Sequence, residues 1–171
     1  MAYNFIIEGK MMAQDVDAMK VAGVASADIA GGTIVELGAY SNGLYTITAS
    51  TDSKDAYIAL NPEDHFTQVG NMLVPGLSAD PRNYTNLATR AVDVRRLAVG
   101  DTFAIVPATT IANIAVGDLL ECANGVWAEV SSATTGATTV EVIAVGTQAF
   151  PQAGIGFDNA QKLVVRVQQV A

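Results

Sequence analysis

From Thr33 to Val170 the chain is cut into short runs in which apolar and polar residues alternate, and many of the cuts fall at Asn-Gly or Gly-Asp. A side-chain period of two belongs to half-buried strands, and Asn-Gly accepts the positive φ of a tight reversal. Thr33–Ala39 sets Val35 and Leu37 around Glu36, and Ser41-Asn42-Gly43 turns the chain. Leu44–Ala49 returns with Tyr45 and Ile47 on one side and Thr46 and Thr48 on the other. Ala56–Leu60 is a short strand stopped by Asn61-Pro62, and Ala91–Val106 holds two strands about Gly100-Asp101. Asp118–Cys122, Val126–Val130, Thr138–Val145 and Lys162–Val170 continue the rhythm, with Asn124-Gly125 turning the first pair. Strands at this spacing predict an all-β fold, a small β-sandwich or barrel-like domain.

The 20 Val and 15 Thr support that reading, since β-branched side chains fit a pleated surface; the 28 Ala do not. A length of 171 residues fits one domain with a real core. Residues 31–171 read as a single β-rich domain. Residues 1–30 read as an N-terminal arm or an edge strand, with Tyr3, Phe5 and Ile7 alternating and two helical turns over Gln14–Val21. Glu63–Thr89 shows no sustained period and carries Gly70, Pro75, Gly76 and Pro81. It is expected as a long irregular middle loop, a surface excursion with room for short elements and a kind of segment often kept for function.

One motif recurs. Leu97-Ala98-Val99-Gly100-Asp101 is echoed by Ile114-Ala115-Val116-Gly117-Asp118, and more weakly by Ala144-Val145-Gly146-Thr147. A repeated strand–turn–strand corner explains the echo, with Gly at positive φ and Asp capping the turn backbone.

Composition narrows the function. The formal net charge is −8, from nine Lys and Arg against seventeen Asp and Glu. A polyphosphate backbone and anionic lipid headgroups both demand clustered cations, so neither nucleic acid nor a membrane surface is an expected partner. No run reaches the roughly 20 apolar residues of a spanning helix, and Met1–Met12 lacks the pattern of a signal peptide. Synthesis and initial residence in a cytoplasm are expected.

Chemistry finds little footing. One His and one Cys cannot complete a zinc site, and the EF-hand spacing is missing. His65, beside Asp64, and Cys122 are the only familiar nucleophile or base candidates; a surface histidine and a buried thiol are the simpler readings. Gly154-Ile155-Gly156-Phe157 is half a dinucleotide fingerprint without a βαβ setting. No catalytic residue, cofactor, metal or small-molecule substrate is expected. Arg90, Arg95 and Arg96, with Arg82 nearby, form the only basic concentration. They read either as a contact for an acidic partner or as internal partners of the chain's own acids.

The run Asp80–Ala91 followed by Val94–Ile105 resembles small head-associated structural proteins of tailed bacteriophages of Gram-positive hosts. Gly32-Thr33-Ile34-Val35-Glu36-Leu37-Gly38 and Leu44-Tyr45-Thr46-Ile47 are similar to the first strands of that family, and Arg96–Phe103 to its Arg-Leu-x-x-Gly-Asp-x-Phe strand pair. The resemblance covers Gly31–Val106. It implies a non-enzymatic virion protein on the capsid surface, made in the host cytoplasm: a decoration or cement protein, or a head-fibre base, that binds the major capsid protein. A homotrimer is one candidate assembly. Tyr3, Phe5, Ile7, Arg82, Tyr84, Arg90, Arg95 and Arg96 are the expected partner contacts. A tail, baseplate or host-adhesion module and a small hydrolase are the rival readings.

Overall fold

The computed structural model describes residues 3–63, 66–69, 72–76, 78–152 and 156–171. The chain is all-β, built from a closed five-stranded barrel, a six-stranded sheet and a separate hairpin. In chain order the strands are β1 (Phe5–Glu8), β2 (Lys20–Ala25), β3 (Ile34–Ser41), β4 (Leu44–Ala49), β5 (Tyr57–Ala59), β6 (Phe66–Val69) and β7 (Met72–Pro75). There follow β8 (Ala91–Arg96), β9 (Thr102–Val106), β10 (Leu119–Ala123), β11 (Val126–Val130), β12 (Thr139–Pro151) and β13 (Phe157–Gln169).

The barrel closes in the order β2-β4-β3-β5-β8, with β8 antiparallel to β2. The β3–β4 hairpin turns at Asn42 and Gly43, both at positive φ, as Asn-Gly chemistry requires. Its interior is filled by Ala25, Val35, Ile47, Ala59, Val92 and Val94, with Ile29 beside them. Val92 and Val94 point in and Asp93 points out, which is the period read from the sequence.

The sheet runs β1-β9-β13-β12-β10-β11, and its two halves mirror each other about the β12–β13 pair. The two copies of the recurring motif create that symmetry. Gly100 and Gly117 have φ of 94° and 99°. Gly100 N–H donates to Val167 O and Gly117 N–H to Val142 O. Val167 N–H in turn donates to Asp101 O, and Val142 N–H to Asp118 O. Each corner therefore seats its following strand, β9 or β10, against one of the two long central strands. The weak third echo is no corner, because Ala144–Thr147 lies inside β12 as extended strand.

One apolar core joins barrel to sheet. Ile34, Ile58 and Leu60 from the barrel side pack with Ile6, Phe103, Ile105, Leu120, Trp127, Val140, Val165 and their neighbours. Burying each large side chain contributes about 2 kcal/mol, so this seam holds much of the stability. Polar links reinforce it: Trp127 Nε1–H donates to Gly32 O at 2.8 Å, and the Asn61 amide bonds both Ile6 N–H and Ile6 O.

Three expectations are corrected. Of the two readings of residues 1–30, the edge strand holds and the detached arm does not: β1 is the edge of the sheet, paired with β9, and β2 is a barrel stave. A boundary at residue 30 thus separates nothing. The helical turns over Gln14–Val21 shrink to Met12–Asp15 and a 3₁₀ turn at Asp17–Met19, after which Lys20 opens β2. The middle segment, expected as a surface excursion with room for short elements, carries the short β6–β7 hairpin and a 3₁₀ turn, Pro81–Asn83. Finally, β8 and β9 are not a strand pair: β8 closes the barrel and β9 joins the sheet, so Gly100-Asp101 is a crossing between units.

Candidate interaction surfaces

The expected contact residues part company in space. Arg95 and Arg96 are consecutive on β8, so they face opposite sides of the barrel wall. Arg95 lies at the seam, 3.9 Å from Glu8 Oε2 and 3.9 Å from Asp93 Oδ2, and its Nε is buried without a hydrogen-bond partner. Arg96 stands exposed across from Tyr57, and Arg90 is exposed before β8 begins. Among the described residues no acid pairs with either. Neighbours in sequence are therefore not one basic patch.

Arg82 is buried. Its Nε reaches both Asp80 oxygens at 3.1 Å, and its Nη2 donates to Asp80 Oδ2 and Asp158 Oδ2, each at 2.6 Å. The guanidinium carbon lies 4.4 Å from the centre of the Phe150 ring, and Phe150 meets Phe5 edge-on at 5.5 Å. Tyr3 N–H donates to Arg82 O. This cluster ties the N-terminal strand, the middle segment and the β12–β13 ribbon together. Burial pushes the Asp80 carboxyl up, but the Arg82 side chain and backbone N–H pull it down further, so it ends below the ordinary carboxylate range. Tyr84 is likewise buried, its hydroxyl donating to Ser78 O and accepting from Ser78 N–H. Phe5, Ile7 and Tyr3 are half-buried along β1. Arg82 and Tyr84 hold the chain's own segments and present almost no surface.

The surface offers other groups instead. Phe157 is 74% exposed and Met72 69% exposed, and Val99 and Val116 stand out at equivalent places on the two corners. Tyr40 is exposed at the tip of the β3–β4 hairpin, its ring 4.8 Å from that of Tyr45. The repeated Val-Gly-Asp could have marked the corner valines, since a residue before a positive-φ glycine sits on the outside of the turn. The charge-free run Val142–Phe157 could have marked the ribbon.

Cys122 is a core residue of β10, fully buried. Burial raises its thiol to about 12, against weaker help from the Ile34 and Gly125 amides, so it is no thiolate near neutral pH. His65 and Asp64 lie outside the described residues, as do Gly154 and Ile155 of the Gly154–Phe157 fragment. Among the described residues no three His, Cys, Asp or Glu side chains are grouped to hold a metal, and no helix is long and apolar enough to cross a membrane. Comparison with known protein families, with curated proteins and with solved structures gives no match.

Proposed function

We propose that this chain is a virion structural protein without enzymatic activity, a capsid decoration protein that binds the major capsid protein lattice on its outer surface. The observation that carries the reading is a β frame that displays isolated large apolar side chains, Phe157, Met72, Val99 and Val116, at the ends of hairpins and corners. Such side chains fit pockets on a partner and become anchors when water is excluded around them. The resemblance over Gly31–Val106 supplies the class of partner. Acidic charge keeps a densely displayed protein soluble, and repetition over a lattice multiplies modest contacts. Arg90 and Arg96 remain available for acidic groups on the coat.

The test is to mix the purified chain with undecorated capsids and image them by electron microscopy. A saturable number of copies per coat subunit is the expected result; protein left wholly in the supernatant rejects the reading.

A tail, baseplate or host-adhesion module is the second reading, and the exposed Tyr40 ring, backed by the half-buried Tyr45, favours it. An aromatic ring exposed at a hairpin tip offers a face on which a sugar can stack. Binding to cell-wall glycan that is lost in Tyr40→Ala would establish that role instead.

A further inference from the structure

The closed barrel has no edge, so the fold's unpaired strand edges belong to the sheet and to the β6–β7 hairpin. Most are blunted, as exposed edges in natural proteins usually are. β1 is covered by the Asn61 amide and carries Glu8. β11 carries Glu129, β7 ends in Pro75, and distal β13 carries Asp158 and Lys162 with Gln161 bonded to the Ile111 backbone.

Distal β12 is different. β10 pairs with β12 only over Thr139–Glu141, and the Gly117-Asp118 corner bonds Val142. Beyond that point, among the described residues, no backbone group pairs with the outer edge of Ala144–Phe150, and its one side-chain contact is the local, long bond from Gln148 Nε2 to Ala149 O at 3.4 Å. The Gln152 N–H to Gly156 O bond sets the phase of the ribbon. With Phe150 opposite Asp158 and Gln148 opposite Ala160 in the inward-bonded positions, Val145, Thr147 and Ala149 turn their amides outward. The residues along this edge are mostly exposed, and none is charged.

We propose that this edge pairs antiparallel with the same edge of a second copy across a two-fold axis centred on Thr147. Two-fold pairing of identical strands sets each residue against itself or a near neighbour, so a charged strand would oppose its own charge. The charge-free run Val142–Phe157 meets that condition, in a chain whose net charge of −8 drives copies apart elsewhere. A strand from a foreign partner would impose no such neutrality. Centring on Thr147 matches the outward amides: Thr147 faces Thr147 of the second copy, and Val145 faces Ala149. These pairs make about six backbone hydrogen bonds and a Thr–Thr cross-strand contact. The result is a dimer, an assembly different from the candidate homotrimer. It stands independently of the capsid reading.

Sedimentation of the full chain over a dilution series, with no capsids present, tests it. The wild-type chain should reach twice the monomer mass, and Thr147→Lys should halve that mass with an unchanged circular dichroism spectrum and thermal midpoint. Thr147→Cys should oxidise to a cross-linked dimer, while Thr46→Cys, exposed on the barrel, should not. A wild-type monomer at every concentration, a trimer, or a lysine variant that stays dimeric overturns the proposal. So does a wild-type monomer whose capsid binding is lost in Thr147→Lys, which would assign the edge to a coat strand.

Discussion

Arg82 and Asp158 are 76 residues apart in sequence, and their side chains meet at 2.6 Å with Asp80 completing the pair on the guanidinium. Asp80 and Arg82 are almost fully enclosed, while Asp158 stays half open to water. Removing the cation alone leaves the Asp80 carboxylate enclosed without its partner. Arg82→Ala should therefore cost about 3–5 kcal/mol, the range for breaking a buried pair from one side. Asp158→Asn should cost about 1 kcal/mol or less, because solvent screens that arm. Urea midpoints for the two variants would check the order, and equal losses would refute it.

The same cluster sets a pH dependence. Asp80 titrates below its ordinary value in the folded chain, so the unfolded state takes up its proton first as pH falls. Its contribution is fully present above the ordinary aspartate value of about 4 and disappears as pH drops through the folded value. Asp17, Asp52 and Glu141 are shifted the same way by Lys20, Lys54 and Arg166, but Asp17 and Asp52 are exposed and Glu141 is half-buried beside solvent, so they contribute little. The stability gap between wild type and Asp80→Asn should be constant from pH 5 to 7 and shrink below about pH 4. A gap that widens in acid would contradict the assignment.

Cys122 should be silent in the native state. With its thiol pushed to about 12 and no exposed surface, a thiol reagent at pH 8 should label it only after unfolding. Labelling in urea should follow the unfolding curve measured from the Trp127 fluorescence. Rapid native labelling would mean that β10 opens locally.

Local chemistry was legible and long-range pairing was not. Asn42-Gly43 and Asn124-Gly125 declare their turns, and Val92, Asp93 and Val94 declare which face is buried, because the cause lies in the residues themselves. Gly100-Asp101 looks like a hairpin turn for the same reason. Whether β9 folds back on β8 or crosses to β13 is decided by Phe103 and Ile105 finding Leu163 and Val165, which lie some sixty residues on. β2 was hidden because Val21, Ala22, Gly23 and Val24 give a small-residue run without strong alternation. Among the contact candidates, the arginines were grouped by sequence distance, while strand alternation and burial divide them. Phe157 and Val145 passed unnoticed because a charge-free run reads equally as core.

The two corners offer an internal comparison of one motif in two settings. In both, the aspartate accepts from the alanine N–H three residues earlier: Ala98 to Asp101 at 2.8 Å, and Ala115 to Asp118 at 2.7 Å. Asp101 also accepts from Met12 N–H at 2.8 Å and is 5% exposed, so it caps two amides in a closed site. Asp118 has water at hand. Asp101→Ala should cost about 2–3 kcal/mol by stranding both donors, and Asp118→Ala about 1 kcal/mol. The glycines should behave alike, since both hold positive φ and an added Cβ would meet nothing within 4 Å at either. Gly100→Ala and Gly117→Ala should each lose about 1–2 kcal/mol to backbone strain alone. Thermal or urea unfolding of the four variants separates the two effects. Equal aspartate losses would show that the Met12 amide adds nothing, and unequal glycine losses that the corners are not conformationally equivalent.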